Sequence, residues 1–444
     1  MQQLVNENIH QEALKALDTI ISQPSFNQEV AENAPFGKNI RQALEKMMNI
    51  CQELGFKTYI DPDGYYGYAE IGQGQKTFGI IGHLDTVPAG DLNKWKYDPF
   101  KCTVKDGIIY GRGIQDDKGP TIAALFAIKA LMDSGYTFNK KIRFIFGTDE
   151  EILWRGIAQY NKKESGIDLG FSPDAEFPVT YAEKGLQQSY LIGPGTDQLS
   201  VKITGPFNAV PAQAFYNGPK LKEVKETLDN LGFDYKENED GITVLGKTIH
   251  AMKAPEGINA VTRLSMALAQ VFDFQPLNFL GKLVKEDATG TSVLGDIEDE
   301  TGHLTFNISS LEINEKETRM QLDMRIPSTI DHDQLIDKLS KAVQKYDLTY
   351  QHYDYLEPLH VPIDSELVQT LMDVYRESTG DKNAEPQISG GATFARTMHN
   401  CVAFGAMLPT TPDYIHQINE QWSVNDFYKA MDIYAEAIKR LCVN

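Results

Sequence analysis

Several short polar runs in this chain hold the residue types that bind metal and move protons. The first closes the apolar stretch Phe78–Ile81, in Ile80-Ile81-Gly82-His83-Leu84-Asp85. Alternate residues of an extended chain share a face, so His83 and Asp85 project together. An imidazole with a carboxylate beside it is the common form of a metal ligand held in one tautomer. Asp116 follows in Ile114-Gln115-Asp116-Asp117, Glu150 and Glu151 lie beyond the apolar run Ile142–Phe146, Asp174 ends Phe171-Ser172-Pro173-Asp174, and His416 opens His416-Gln417-Ile418-Asn419-Glu420. Metal-assisted hydrolysis needs oxygen and nitrogen ligands, an open coordination position for water, and a base to take that water's proton. His83, Asp116, Glu151, Asp174 and His416 are the candidate ligands. Asp116 is best placed to be shared if two ions sit about 3.5–4 Å apart. Glu150 stands next to a ligand but points elsewhere on an extended backbone, which suits a general base. Each residue alone has a plainer use: Asp116-Asp117 can cap a helix, Glu150-Glu151 can be a solvated loop, Asp174 a turn residue, His416 a rim histidine. Their recurrence at successive strand ends argues for one site.

The elements that must position them read as an α/β pattern. Leu14, Leu17, Ile20 and Ile21 form one helical stripe, and Ile40, Leu44, Met47, Met48, Cys51 and Leu54 a second, closed by Gly55. Lys57–Ile60 and Tyr65–Ile71, joined through Asp61-Pro62-Asp63-Gly64, predict a hairpin before the strand that ends at His83. Asp106–Gly113 reads as a glycine-punctuated turn region. Pro120 suits the first turn of a buried helix over Thr121–Ser134, and Ile142–Phe146 is the continuous apolar run of a strand covered on both faces. In such sheets, sites lie beyond the strand C-termini. From Leu186 the texture changes to alternating stretches (Ser189–Ile192, Leu199–Ile203, Leu304–Leu311, Met320–Arg325) with helices at Leu221–Leu231 and Ala260–Phe272. After Leu359 the α/β texture returns, with a helix over Glu366–Ser378, a strand over Val402–Met407 and a last helix over Asn425–Leu441, capped by Ser423 with Asp426 in capping-box spacing. The expected fold is therefore α/β: a discontinuous catalytic domain with a mainly parallel sheet (residues 1–185 and 358–444) and an inserted α+β lid domain (186–357).

Composition limits the function classes. The chain has 444 residues, enough for more than one core. Its formal net charge of −20 would repel nucleic acid and anionic membrane, so a small substrate or a metal is the expected partner. No run of about 18 apolar residues occurs, and the N-terminus has no basic or apolar leader pattern, so a cytoplasmic protein is expected. Cys51, Cys102, Cys401 and Cys442 lie far apart with no Cys-x-x-Cys, which suggests neither a disulfide framework nor a thiolate zinc site. His10, His303, His332, His352 and His360 fall outside every motif and read as surface or packing residues.

Four runs together resemble the signatures of the M20 family of metallopeptidases, and within it the PepV-type dipeptidase branch: His83-Leu84-Asp85-Thr86-Val87-Pro88-Ala89-Gly90, Gly111-Arg112-Gly113-Ile114-Gln115-Asp116-Asp117-Lys118-Gly119, Thr148-Asp149-Glu150-Glu151 and Ser172-Pro173-Asp174-Ala175-Glu176-Phe177-Pro178. The resemblance implies two divalent ions per chain, zinc or in some members manganese. One would be held by His83 and Asp174, the other by Glu151 and His416, with Asp116 bridging and a cis peptide at Asp116-Asp117. Asp85 would orient His83, and Glu150 would activate the water and later protonate the leaving amine. Thr204–Pro211 and Gly246–Ala251 resemble the lid motifs that supply Asn208 and His250 to the substrate, His250 from a strand end as a donor to the oxyanion. Arg325 matches the lid arginine that binds a substrate's C-terminal carboxylate. Gly390–Arg396 resembles a glycine-rich pocket loop, with Gly391 and Arg396 as substrate contacts. His399 and Thr410-Thr411-Pro412 depart from the family's usual prolines and Pro-Gly turn. The long insertion resembles a doubled lid, which implies a monomer with His250 acting in cis. The activity implied is hydrolysis of unblocked dipeptides, the alternative being an N-acyl or N-succinyl amino acid deacylase of the same superfamily. A non-catalytic metal-stabilised binding protein would lack the base or the lid histidine, and both Glu150 and His250 are present.

Overall fold

The computed structural model describes residues 4–443. They divide into two compact units. One holds the residues up to Tyr181, His360–Gln387 and those from Thr393 on; the other holds Ala182–Leu359 and Ile388–Ala392.

In the first unit, the opening stripes form the helices Glu7–Ile21 and Lys38–Glu53, burying Leu17, Ile20, Leu44, Met47 and Cys51. Asn6 caps the first, its side chain accepting from Ile9 N, and Gly55, at φ 93°, lets the chain turn after the second. The central sheet runs Lys57–Ile60, Gly67–Ile71, Lys141–Gly147, Thr77–His83, Leu169–Ser172, Cys401–Ala403, Thr180–Glu183. Its four inner strands are parallel. Every residue of Thr77–His83 is buried, as a strand in the middle of such a sheet requires. The register decides where the site must be. His83 lies opposite Gly147 and Ile80 opposite Phe171, so the segments 148–151 and 173–174 leave the sheet at the same edge as His83. The helix Lys118–Asp133 is buried on nearly all sides, between Glu7–Ile21 and Val424–Cys442, and begins at that edge directly after Asp116-Asp117.

Two expectations are corrected here. The run Val402–Met407 is two short strands, Cys401–Ala403 and Ala406–Met407, because Gly405 takes φ 69° and its missing side chain leaves room for the Phe177 ring; a Cβ there would lie 2.3 Å from it. The second piece pairs with Ala175–Glu176 instead of continuing in the central sheet. The supposed turn region after Lys105 is a hairpin. Thr103–Lys105 and Ile108–Tyr110 pair antiparallel through Asp106 and Gly107, both at positive φ (53° and 77°), as a two-residue type I′ turn requires. Gln421–Ser423 adds a third strand against Ile108–Tyr110.

The second unit is α+β. Its antiparallel sheet runs Val201–Ile203, Thr305–Ile313, Glu317–Ile326, Gly185–Pro194, Thr349–Leu356, and a smaller sheet joins Gln213–Tyr216, Gly241–Leu245 and Tyr235–Asn238. Leu191, Leu264, Leu268, Leu322 and Leu339 meet in one core between sheet and helices. The first unit is thus α/β with a mainly parallel sheet, and the second, inserted into its sequence, is α+β. Among the described residues no helix is long and apolar enough to cross a membrane.

Candidate metal centre

The first unit brings the five candidate ligands together. Asp116 stands between two imidazoles: its Oδ1 is 2.9 Å from His83 Nε2 and its Oδ2 is 2.9 Å from His416 Nε2. Asp174 Oδ2 lies 3.6 Å from His83 Nε2, and Glu151 Oε2 3.0 Å from His416 Nε2. The result is two triads, His83/Asp116/Asp174 and Asp116/Glu151/His416, in each of which the donor atoms lie within 4.8 Å of one another.

Local structure explains each placement. Gly82 precedes His83 because the space beside it is taken: a Cβ there would come 2.1 Å from Thr121 Oγ1 and 2.6 Å from Asp117 Oδ2. That Asp117 oxygen accepts from His83 N (3.0 Å) and Thr121 Oγ1 (3.0 Å), pinning the strand end to the start of the buried helix. The Asp116–Asp117 peptide is cis. His83 Nδ1 faces the main-chain oxygen of Asp85 at 2.9 Å, while the Asp85 carboxylate, at 3.6 Å, accepts instead from Glu151 N at 3.1 Å. Asp85 therefore orients His83 through its backbone and holds the Glu151 segment through its side chain. Glu151 Oε1 also accepts from Val87 N at 3.2 Å. His416 sits at φ 61°, a conformation that costs energy for any residue with a side chain and marks a loop held by its surroundings.

The electrostatics are those of an acidic cluster short of positive charge. Burial, then the neighbouring Asp116 and Asp117, raise the Asp174 carboxyl well above its usual range. Burial and Asp116 likewise raise Glu151. Burial raises Glu150 strongly, against the pull of His83 and with the help of Glu151, Asp116 and Asp85, which places this carboxyl among the same groups. Hydrogen bonds to Asp116 and Glu151 lift His416 to about 10. Burial resists charge on His83, but the bond to Asp116 and the nearby Asp85 and Asp174 carboxylates still hold it well above the ordinary imidazole value. Burial also opposes the charge on Asp116, and is outweighed by its bonds to both imidazoles, which hold it far below the carboxylate range. One imidazole and two carboxylates per triad, with one carboxylate in common, is a nitrogen and oxygen donor set that fits a pair of divalent ions such as zinc or manganese.

The second unit gathers a different set. Ala251 N donates to Asn208 O at 2.8 Å and Val210 N to Ile249 O at 2.9 Å, so Asn208 and His250 share one loop pair. Asn307 Nδ2 braces it through the carbonyls of Phe207 (3.3 Å) and Ala209 (2.9 Å). His250, expected at a strand end, caps the 3-10 turn Ala251–Glu256, its Nδ1 accepting from Met252 N at 3.2 Å. The remaining Nε2 then carries the proton, and burial followed by the nearby Arg325 charge lowers the imidazole's pKa, leaving a neutral ring with one N–H to give. Arg325 is 3% exposed, and its fork is engaged within its own unit: Nε and Nη2 bond Asp323 at 2.8 and 3.3 Å, and Nη1 bonds Gly390 O at 2.8 Å. Asp323 was the missed signal, two residues earlier on the same strand face. Gly391 N donates to Ser389 Oγ at 2.9 Å. Arg396 belongs to the first unit, buried in the turn Phe394–Thr397.

The histidines set aside behave as packing or surface groups: His10 stacks on Tyr428 at 3.6 Å, His332 on Tyr355 at 3.7 Å, and His303 is exposed beside Asp296 and Glu298.

Comparison with known proteins gives a consistent set of relatives. The profile of peptidase family M20/M25/M40 matches residues 79–440. "Putative dipeptidase SSP1012" of Staphylococcus saprophyticus is 33% identical over 464 residues, covering 97% of each chain. "Putative dipeptidase YtjP" of Bacillus subtilis is 34% identical over 431 residues, covering 92% of each. Among solved structures, the di-peptidase Dug1p from Saccharomyces cerevisiae superposes with a TM-score of 0.61 at 16% identity, over 98% of this chain and 96% of the other. The metallo-carboxypeptidase Sso-CP2 from Sulfolobus solfataricus does so with a TM-score of 0.59 at 21% identity, over 96% and 98%. At those identities the structures bear on the fold alone.

Proposed function

The chain belongs to peptidase family M20/M25/M40 and is a hydrolase of that family, and we propose from this premise that it is a two-metal dipeptidase cleaving unblocked dipeptides. The observation that carries the proposal is the pair of triads meeting at Asp116, one oxygen toward each histidine. His83 and Asp174 would hold one ion, Glu151 and His416 the other, and Asp116 both. What bound divalent ions supply is Lewis acidity, toward water and toward the scissile carbonyl. Glu150, among these groups but outside both triads, takes the proton from the attacking water and returns it to the leaving amine. Asp85 keeps His83 and Glu151 in place. His250 offers its Nε2–H to the oxyanion of the tetrahedral intermediate. Asn208, Gly391 and Arg396 contact the substrate. A substrate carboxylate would share Arg325 with Asp323, so Arg325 also serves by holding the Gly390 carbonyl of the glycine loop.

The test is amino-acid release by protein loaded with zinc or manganese, from a panel of dipeptides, tripeptides and N-acyl amino acids. Cleavage confined to free dipeptides is expected. Cleavage of the N-acyl or N-succinyl compounds instead would keep the metal centre and make the protein a deacylase. The long inserted lid further supports a monomer with His250 acting in cis, so light scattering at micromolar concentration is expected to give the mass of a single chain, 49.7 kDa; a dimer sinks that part of the proposal.

A further inference from the structure

One buried polar network is not accounted for by the ligands or the base. Glu420, 1% exposed, accepts from Gly113 N at 3.0 Å, Gln115 N at 2.8 Å and Arg112 Nη1 at 2.7 Å. Gln115, 2% exposed, reaches the opposite way: its Nε2 donates to the carbonyls of Pro412 and Gln421, both at 3.0 Å, and its Oε1 accepts from Tyr414 N at 2.9 Å. Each segment therefore sends one side chain into the backbone of the other. The joined segments carry Asp116, directly after Gln115, and His416, between Tyr414 and Glu420.

The chemistry of the network argues for a purpose beyond filling space. Burying a carboxylate is costly, and Glu420 recovers that cost only with Arg112 and two backbone N–H groups in place. Burial still pushes its pKa up to about 7. Apolar side chains would fill the same volume with less at stake, but could not hold two loops in one register. The His416 loop needs such a hold, because His416 and Asn419 both sit at positive φ, 61° and 64°. The other triad has a separate support in Asp117, bonded to His83 N and Thr121 Oγ1.

We propose that Gln115 and Glu420 are positioning residues that set the distance between Asp116 and His416, and so complete the Asp116/Glu151/His416 metal triad without touching metal or substrate. This rests on the two-metal reading above. The experiment is calorimetric titration of Mn²⁺ into metal-free protein: wild type, Gln115→Ala, Glu420→Gln, and Asp174→Asn, which removes a ligand from the other triad only. Wild type is expected to take up two ions. The binding event that persists in Asp174→Asn is expected to weaken about 10- to 100-fold in Gln115→Ala and Glu420→Gln, with the other event within about twofold of wild type. Two wild-type events with both variants unchanged, or with both events weakened alike, overturns the positioning role and leaves the two-metal reading standing. Fewer than two ions in wild type overturns both. Glu420→Gln keeps the side-chain shape and one acceptor oxygen, so it carries the test alone if Gln115→Ala does not fold.

Discussion

Replacing Glu150 with alanine is expected to lower kcat by roughly 10²–10⁴-fold while both metal ions remain bound, because general acid–base transfer contributes about that much. The carboxyl lies under the influence of His83, Glu151, Asp116 and Asp85 but belongs to neither triad. Its removal takes away the proton carrier and leaves every ligand. Metal content by elemental analysis and single-turnover kinetics on a dipeptide separate the two effects. Unchanged kcat would remove Glu150 from the mechanism, and loss of an ion would make it a ligand.

Asp116→Ala is expected to be as damaging by a different route. Its two oxygens serve both histidines, so one substitution strips a donor from each triad and leaves His83 and His416 facing a gap. Lewis acidity is worth several kcal/mol at the transition state, and each 1.36 kcal/mol is a factor of ten, so activity should fall by about 10³-fold or more. The independent readout is stability. A ligand at 100 times its Kd stabilises the folded state by about 2.7 kcal/mol. Zinc or manganese should therefore raise the melting temperature of wild type and leave that of Asp116→Ala nearly unmoved. An equal metal-induced rise in both proteins would show that Asp116 is not shared between the ions.

Much of this could be read before any coordinates, because the relevant patterns are local. A helical stripe is a matter of neighbours three and four residues apart, so Leu17 with Ile20 and Met47 with Cys51 announced the buried faces of the first two helices. The same holds for Gly55 after the second helix, for Ser423 as the cap of the last, and for the apolar strands that stop at His83 and Gly147. The hairpin through Asp106-Gly107 was legible too, since that dipeptide is a strong two-residue turn signal. Its flanking strands, Thr103–Lys105 and Ile108–Tyr110, are only three residues each, too short to show an alternating pattern.

Other features had no local trace. The break at Gly405 depends on the Phe177 ring, which the run Val402–Met407 does not contain. Arg325 carries the residue type that suits a carboxylate, yet its fork closes on Asp323, two residues before it on the same strand, and on the Gly390 carbonyl, which only the folded chain brings within reach.

The chain by itself determined which donor types occur, their order, and that each follows the end of an element; these are properties of short stretches, and they sufficed for the kind of chemistry. The tertiary structure decided which ends meet. Parallel register set His83 opposite Gly147, and the third strand of the small hairpin sheet laid Gln421 against Tyr110. From that follow Asp116 between two histidines and the bonds of Gln115 and Glu420, whose partners lie some 300 residues apart, 297 for the Gln115–Pro412 bond and 305 for the Gln115–Glu420 bond. Such pairings arise from strand register and packing, and no periodicity within a segment encodes them.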